Sequence, residues 1–415
     1  MSLPASLKAF MVPGLSVAPV PPVDRVDAID IVRGIALYGV MAVNVVTEFR
    51  VSLFQQFLPP ATQSAGANRF AEDLVNYGLE MKAFSLFSLL FGIGMAIQYE
   101  RLSRSGTPLR WLVRRLAILL VFGLIHLYLI WNGDILTEYA LAGFIVVPFL
   151  LAPQWIVGLA SASFLLFYAV MPLLHLPIPW PGADWLRQHV VAANAVYGHG
   201  TFAAVLQFSI REVPSIAPLH MFVFARTIGL FLLGVFTWRL GVLQRPQENK
   251  SAIVATALTA LTAGILLTVT DAMNLITPES VLAPLGRSMS QLAAATLALG
   301  YGATIIWLVE FTSARRFLSG FGPLGRMAFT NYIAQSVVFG FVFFGYGLGL
   351  FSRLESAVTL LLGTCVYALQ AIVSVFWLQR YRFGPLEWLW RTLMYGKKQP
   401  MVIARDHRPV PASNG

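Results

Sequence analysis

Along this chain apolar residues gather into runs of about 20, while polar and charged residues collect in the gaps between them. As a helix, a run of that length crosses roughly 30 Å of hydrocarbon. The pattern predicts spanning helices near 31–49, 74–99, 110–131, 135–152, 154–174, 217–241, 251–271, 289–312, 324–345 and 355–379. The expected fold class is therefore all-α: a polytopic membrane helix bundle of about ten transmembrane helices, embedded in a lipid bilayer.

Composition narrows this further. Of 415 residues 57% are hydrophobic and 12% charged, against roughly 25% charged in a soluble domain. That is too little charge to coat a water-facing surface, so a soluble enzyme is excluded. A net charge of +10 would suggest nucleic acid in a soluble protein. Here the basic residues sit in short loops between apolar segments, so they read as membrane orientation, and no nucleic-acid partner is expected.

Loop 99–115 carries Arg101, Arg104, Arg110, Arg114 and Arg115, and loop 313–326 carries Arg315, Arg316 and Arg326. Loop 239–250 and the C-terminal tail are basic too, while the alternate loops hold one or two arginines each. The positive-inside rule then places both termini in the cytoplasm, which in a bacterium means the inner membrane. Residues 1–29 hold five prolines and one lysine, with no signal-peptide pattern, and read as a disordered cytoplasmic arm. The bundle is expected over 30–382, with an external loop at 175–216 long enough to contain a helix or lid. An interfacial amphipathic helix follows at 383–398, then a disordered tail at 399–415. The single cysteine, Cys365, allows no internal disulfide.

Ionisable groups at membrane depth are costly, so each is a candidate for function, with interhelical packing as the plain alternative. In the first span Asp30, Arg33, Leu37, Met41, Asn44 and Glu48 are spaced 3, 4, 4, 3 and 4 apart, one helical face. In the third span His126 lies eleven residues past Arg115, about 16 Å deep. It can take up and return a proton, and Asp134, Glu138 and Tyr139 follow just outward. Lys82 in the second span has no carboxylate on its own helix face, since Glu80 at i−2 should point away; Glu48, Asp134 and Glu138 are the partners expected. Arg226 is similarly placed in the sixth span. The two cations facing these carboxylates read either as a salt-bridge network or as an anion site. Nearer the basic end, Thr330, Asn331, Gln335 and Gln370 read as packing glue, while Arg33 and Arg326 are placed to meet phosphates of a soluble donor. Gly92 and Gly94 are expected to serve close helix packing. No metal-ligand spacing, phosphate loop or tightly bound cofactor is evident.

The blocks RVDAIDIVRGIALYGVMAVNV, KAFSLFSLLFGIGMAIQ, RRLAILLVFGLIHLYLIWNGDILTEYAL, GPLGRMAFTNYIAQS and FGPLEWLWR resemble those of the YeiB-type family of bacterial multi-pass membrane proteins. More distantly the chain is similar to the transmembrane acyltransferases that include heparan-glucosaminide N-acetyltransferase. The shared element is Asp30, Arg33, Gly34 and Asn44 in the first span. In those enzymes the key histidine follows the first span, whereas 50–73 holds no His, so His126 would have to replace it.

What this resemblance implies is acyl transfer from cytoplasmic acyl-CoA to an envelope glycan or lipid acceptor. His126 would be the general base and Asp134 its orienter, with Asn44 and Lys82 at the oxyanion. Arg33, Arg115 and Arg326 would meet phosphates, and Asp30, Glu48, Glu138, Arg226, Asn331 and Gln335 would complete the substrate path. Two alternatives stay open: a transporter of a small polar or anionic solute, and a non-catalytic subunit of a membrane complex or a haem or quinone binder, although bis-histidine haem would need His126 with His220, which is placed too near the surface. A homodimer is compatible with each.

Overall fold

A computed structural model describes residues 27–59, 64–103, 106–174, 176, 178–273 and 280–403. Most of the expected N-terminal arm lies outside these, and so does the tail from 404. The described residues form a helical membrane bundle, and the chain is a multi-pass membrane protein. Eight helices are long and apolar enough to cross a bilayer, and two shorter apolar ones, Leu136–Leu150 and Ala328–Phe343, accompany them.

α1 (Asp27–Asn44) continues as a π-helical turn, Val45–Phe49. α2 (Gly66–Asp73) and a second π turn, Leu74–Leu79, lead to α3 (Lys82–Ser103). These are not one straight rod: Met81 sits at φ 58°, a left-handed conformation that breaks the helix just before Lys82. α4 (Pro108–Leu129) and the short α5 (Leu136–Val146) form the next hairpin, followed by α6 (Gln154–Val170). The expected external helix is α7 (Ala183–His199). The sixth span starts far earlier than expected, because α8 runs unbroken over 38 residues, Phe202–Arg239. At about 57 Å it is nearly twice the hydrocarbon thickness, so its first turns belong to the segment read as an external loop. α9 (Lys250–Ala272) and α10 (Ala283–Phe311) form a peripheral hairpin.

Short helices α11 (Arg315–Leu318) and α12 (Gly322–Arg326) precede α13 (Ala328–Phe343). α14 (Ser356–Arg380) and α15 (Pro385–Tyr395) complete the fold, and α15 packs on α4 and α13. The segment after α15, expected to be disordered from 399, is held through Ile403. Arg382 N–H donates to Met401 O and Ile403 N–H to Arg380 O, so this stretch pairs with the chain leaving α14.

α1 is the central staff. Most of its residues are buried, Leu37 and Met41 completely, so its polar stripe faces protein rather than lipid. Gly92 packs on the Phe231 backbone of α8, as close helix packing requires. Gly94 does not; it lines a cavity.

Candidate functional site

The site is built on the turn Trp131–Asp134 between α4 and α5. α4 ends where the N–H groups of Ile130 and Trp131 both bond to His126 O. Trp131 stacks on Phe49 with ring centroids 4.3 Å apart, and Asn132 donates to Glu212 at 2.6 Å. Gly133 has no room for a side chain, since Trp131 and the Glu48 carboxylate cover its Cα. Asp134 uses both oxygens: Oδ2 accepts from Thr137 N–H at 2.7 Å, capping α5, and Oδ1 lies 2.8 Å from His126 Nδ1. The side chain that caps the helix therefore also holds the imidazole.

The other ring nitrogen meets a residue that sequence reasoning did not single out. Ser336 Oγ, from α13, lies 2.9 Å from His126 Nε2. Asp134, His126 and Ser336 are all buried, at 1%, 0% and 2% exposure. With Nδ1–H donated to the carboxylate, Nε2 is the acceptor for the Ser336 hydroxyl, so one neutral tautomer satisfies all three groups. A carboxylate, imidazole and hydroxyl in this order form a proton-transfer chain, recognised by geometry and not by position in the chain. Tyr332, one turn earlier on α13, lies against the His126 ring at 5.2 Å and donates its hydroxyl to Gly133 O at 3.3 Å. The readable signal was the i, i+4 pair Tyr332 and Ser336, one residue out of step with Asn331 and Gln335 on the same helix.

Below Tyr332 a cavity of about 350 Å³ opens toward the basic end. Its upper wall is apolar and aromatic, with Phe87, Phe91, Leu119, Leu136 and Tyr139, and Tyr332 also lines it. Its mouth carries four arginines, Arg33, Arg115, Arg326 and Arg391, from four different elements. Two glycines bring the elements of Arg33 and Arg326 together. A Cβ on Gly325 would overlap Asp30 O, and one on Gly34 would overlap Phe321 O, so α12 lies directly on the α1 backbone. Arg33 is paired with Asp30 at 2.8 Å. The Arg115 guanidinium stacks 4.5 Å over Trp390, whose indole N–H donates to Arg115 O. Glu387 of α15 accepts from the N–H and hydroxyl of Thr330, and burial pushes its carboxyl above the usual carboxylate range.

Other expected members go elsewhere. Glu138 does not join His126; it accepts from Thr227 at 2.5 Å and lies 2.8 Å from His220 Nδ1, tying α5 to α8. Both ring nitrogens of His126 are engaged, by Asp134 and by Ser336, so His126 offers no nitrogen to the bis-histidine haem reading. Lys82, the first residue of α3, goes to a second pocket. Its ammonium donates to Asn76 O at 3.2 Å and lines an outer pocket of about 290 Å³ together with Thr47, Asn76 and Glu80. Glu80 was expected to point away, but the break at Met81 turns both side chains into one pocket. Arg226 is buried against Met81 Sδ and the Tyr168 ring, with no ion pair among the described residues. Asn44 is buried in α1. Asn331 donates to Ser374, and Gln335 to Gln370, whose own amide donates to Asn331 O. This ladder joins α13 to α14, and neither Asn331 nor Gln335 lines the cavity. The basic-end cavity and the outer pocket share no lining residue, and His126 lines neither.

A third buried carboxylate was not anticipated. Glu212 of α8 accepts from Asn132 and from the Tyr197 hydroxyl, and lies 2.5 Å from His189 Nε2. It pins α7 to the turn that holds Asp134.

Comparison with known proteins gives a consistent family. A family described as "Protein of unknown function (DUF418)" matches residues 237–397. The uncharacterised protein YxaH of Bacillus subtilis (strain 168) is 32% identical over 400 residues, covering 91% of this chain and 96% of that protein. The uncharacterised protein YeiB of Escherichia coli (strain K12) is 27% identical over 396 residues, covering 91% and 98%. An uncharacterised 39.9 kDa protein from the amylase 3′ region of Bacillus acidopullulyticus is 27% identical over 387 residues, covering 92% and 97%. No solved structure matches the chain.

Proposed function

This chain belongs to the YeiB-type family of multi-pass membrane proteins, and on that premise we propose that it is a membrane-embedded acyltransferase of the bacterial inner membrane. The donor is a cytoplasmic acyl-CoA and the acceptor a hydroxyl or amine of an envelope glycan or lipid. The observation that carries this reading is the buried Asp134–His126–Ser336 chain standing behind Tyr332 at the apolar end of a cavity with a cationic mouth.

The chemistry of the donor fits that shape. Nucleotide phosphates are anions, and Arg33, Arg115, Arg326 and Arg391 offer them charge-assisted hydrogen bonds. An acyl arm is apolar, and the throat above the mouth supplies Phe87, Phe91, Leu119 and Leu136. His126 acts as general base through Nε2, while Asp134 holds the Nδ1–H tautomer and stabilises the imidazolium.

The test is transfer of isotope-labelled acetyl from acetyl-CoA to glucosamine or isolated envelope glycans by the purified protein in detergent. Replacing His126→Ala should lower the rate about 10²–10⁴-fold. Equal transfer by both proteins would remove the assignment. The outer pocket with Lys82 favours a second reading, transport of a small anionic solute. That reading predicts uptake into proteoliposomes that is lost in Lys82→Ala, with no acyl transfer.

A further inference from the structure

The nitrogen available to act as base already has a partner, and that partner belongs to the protein. Nε2 of His126 faces Ser336 Oγ at 2.9 Å, while Nδ1 is committed to Asp134. Helical serines commonly give their proton to the carbonyl four residues back. Here that carbonyl, Tyr332 O, is 3.4 Å away, outside the 2.5–3.0 Å usual for O–H···O bonds. The Ser336 proton therefore points at the imidazole, and the hydroxyl that His126 is placed to activate is Ser336.

Resting on the acyl-transfer reading, we infer that Ser336 is a nucleophile that carries the acyl group as an ester between donor and acceptor. The two cavities supply the reason for a relay. The basic-end cavity and the outer pocket share no lining residue, so a donor in the first and an acceptor in the second have no common chamber, whereas an acyl-enzyme lets each react in turn. Tyr332, which both lines the basic-end cavity and packs on His126, is the gate: its side chain swings aside for the thioester carbonyl to reach Ser336, one turn further along α13.

The steps balance. Nε2 takes the Ser336 proton as Oγ bonds to the thioester carbonyl carbon; the C–S bond breaks, and the sulfur leaves as a thiol with that proton. The acceptor hydroxyl or amine then gives a proton to Nε2 and attacks the ester carbonyl. The C–Oγ bond breaks and the proton returns to Ser336. His126 ends neutral in both halves.

Mixing purified wild-type protein with acetyl-CoA or octanoyl-CoA, without acceptor, tests the inference. A burst of about one thiol per chain is expected, with the acyl mass on the peptide containing Ser336 and its discharge on adding glucosamine. Ser336→Ala should give no burst and no acylated peptide, and should lower transfer to glucosamine at least about 10³-fold. Ser336→Cys should hold the acyl group as a thioester cleaved by neutral hydroxylamine, a signature that a merely structural serine would not produce. Transfer that needs His126 but proceeds in wild type without burst or acyl-peptide, and survives Ser336→Ala, overturns the covalent step and leaves the acyltransferase standing. Neither thiol release nor transfer from either thioester overturns both.

Discussion

Helix α13 presents two polar faces at the same membrane depth, and they do different work. On one face Asn331 and Gln335 join Gln370 and Ser374 in a ladder of neutral amides and a hydroxyl. On the other, one residue round, Tyr332 and Ser336 meet an imidazole that is itself held by a carboxylate. All four are buried, so burial and polarity do not separate them. Partner chemistry does. An amide ladder satisfies groups that packing has desolvated, and its members exchange nothing. A hydroxyl, imidazole and carboxylate in series can move a proton, and the Thr137 N–H holds the carboxylate in place.

The comparison predicts its largest effect at Asp134. Asp134→Asn keeps shape and an oxygen for the Thr137 N–H, but its amide cannot accept the Nδ1 proton and favours the wrong tautomer of His126. Transfer of acyl groups should fall about 10³–10⁴-fold, the size seen when the orienting carboxylate of a catalytic triad is neutralised. The thermal midpoint in detergent should move little by comparison. A variant that melts early yet retains the wild-type rate would reduce the chain to packing.

Much of the bundle was legible from the amino-acid sequence because spanning helices announce themselves by length and apolarity alone. The arginines of separate loops and the tail were also readable as one side, and three of them, Arg115, Arg326 and Arg391, line one mouth with Arg33 of the first span. His126 and Asp134 were identified as neighbours because only a turn separates them. What was not legible depends on contacts distant in the chain or on backbone breaks. Ser336 meets His126 across 210 positions, with no periodicity linking them. Lys82 and Glu80 share a pocket because Met81 adopts a positive φ, which an i−2 argument along a regular helix contradicts. Asn331 and Gln335 carried two readings, packing glue and substrate contact, and their partners on α14, which favour glue, lie out of reach of any periodicity.

A middle-sized effect is expected where α1 and α12 touch. Gly325→Ala puts a methyl against Asp30 O, which should cost about 1–3 kcal/mol as overpacking and separate Arg33 from Arg326. The two halves of the comparison should then respond differently. KM for acetyl-CoA should rise as the mouth loosens, while the Asp134–His126–Ser336 chain, on other elements, should keep kcat near its wild-type value. Loss of kcat with unchanged KM would mean that the mouth does not bind the donor.

The smallest effect belongs to the amide face, and it is the sharpest control. Gln335 Oε1 is buried without a hydrogen-bond partner, so half of that side chain already sits unsatisfied in the bundle. Replacing both Gln335→Leu and Gln370→Leu removes the donor and the acceptor together, a change that can be nearly neutral when shape is conserved. Polar pairs in membrane bundles contribute about 0.6 kcal/mol on average, and this change loses two such bonds, Gln335 to Gln370 and Gln370 to Asn331 O, while shedding an unsatisfied oxygen. The doubly substituted protein should therefore melt close to wild type and transfer acyl groups within about twofold, since roughly 0.4 kcal/mol is all that a twofold change represents. A tenfold loss would mean that the ladder holds α13 in the register that brings Ser336 to His126, and the two faces of the helix would then be one device.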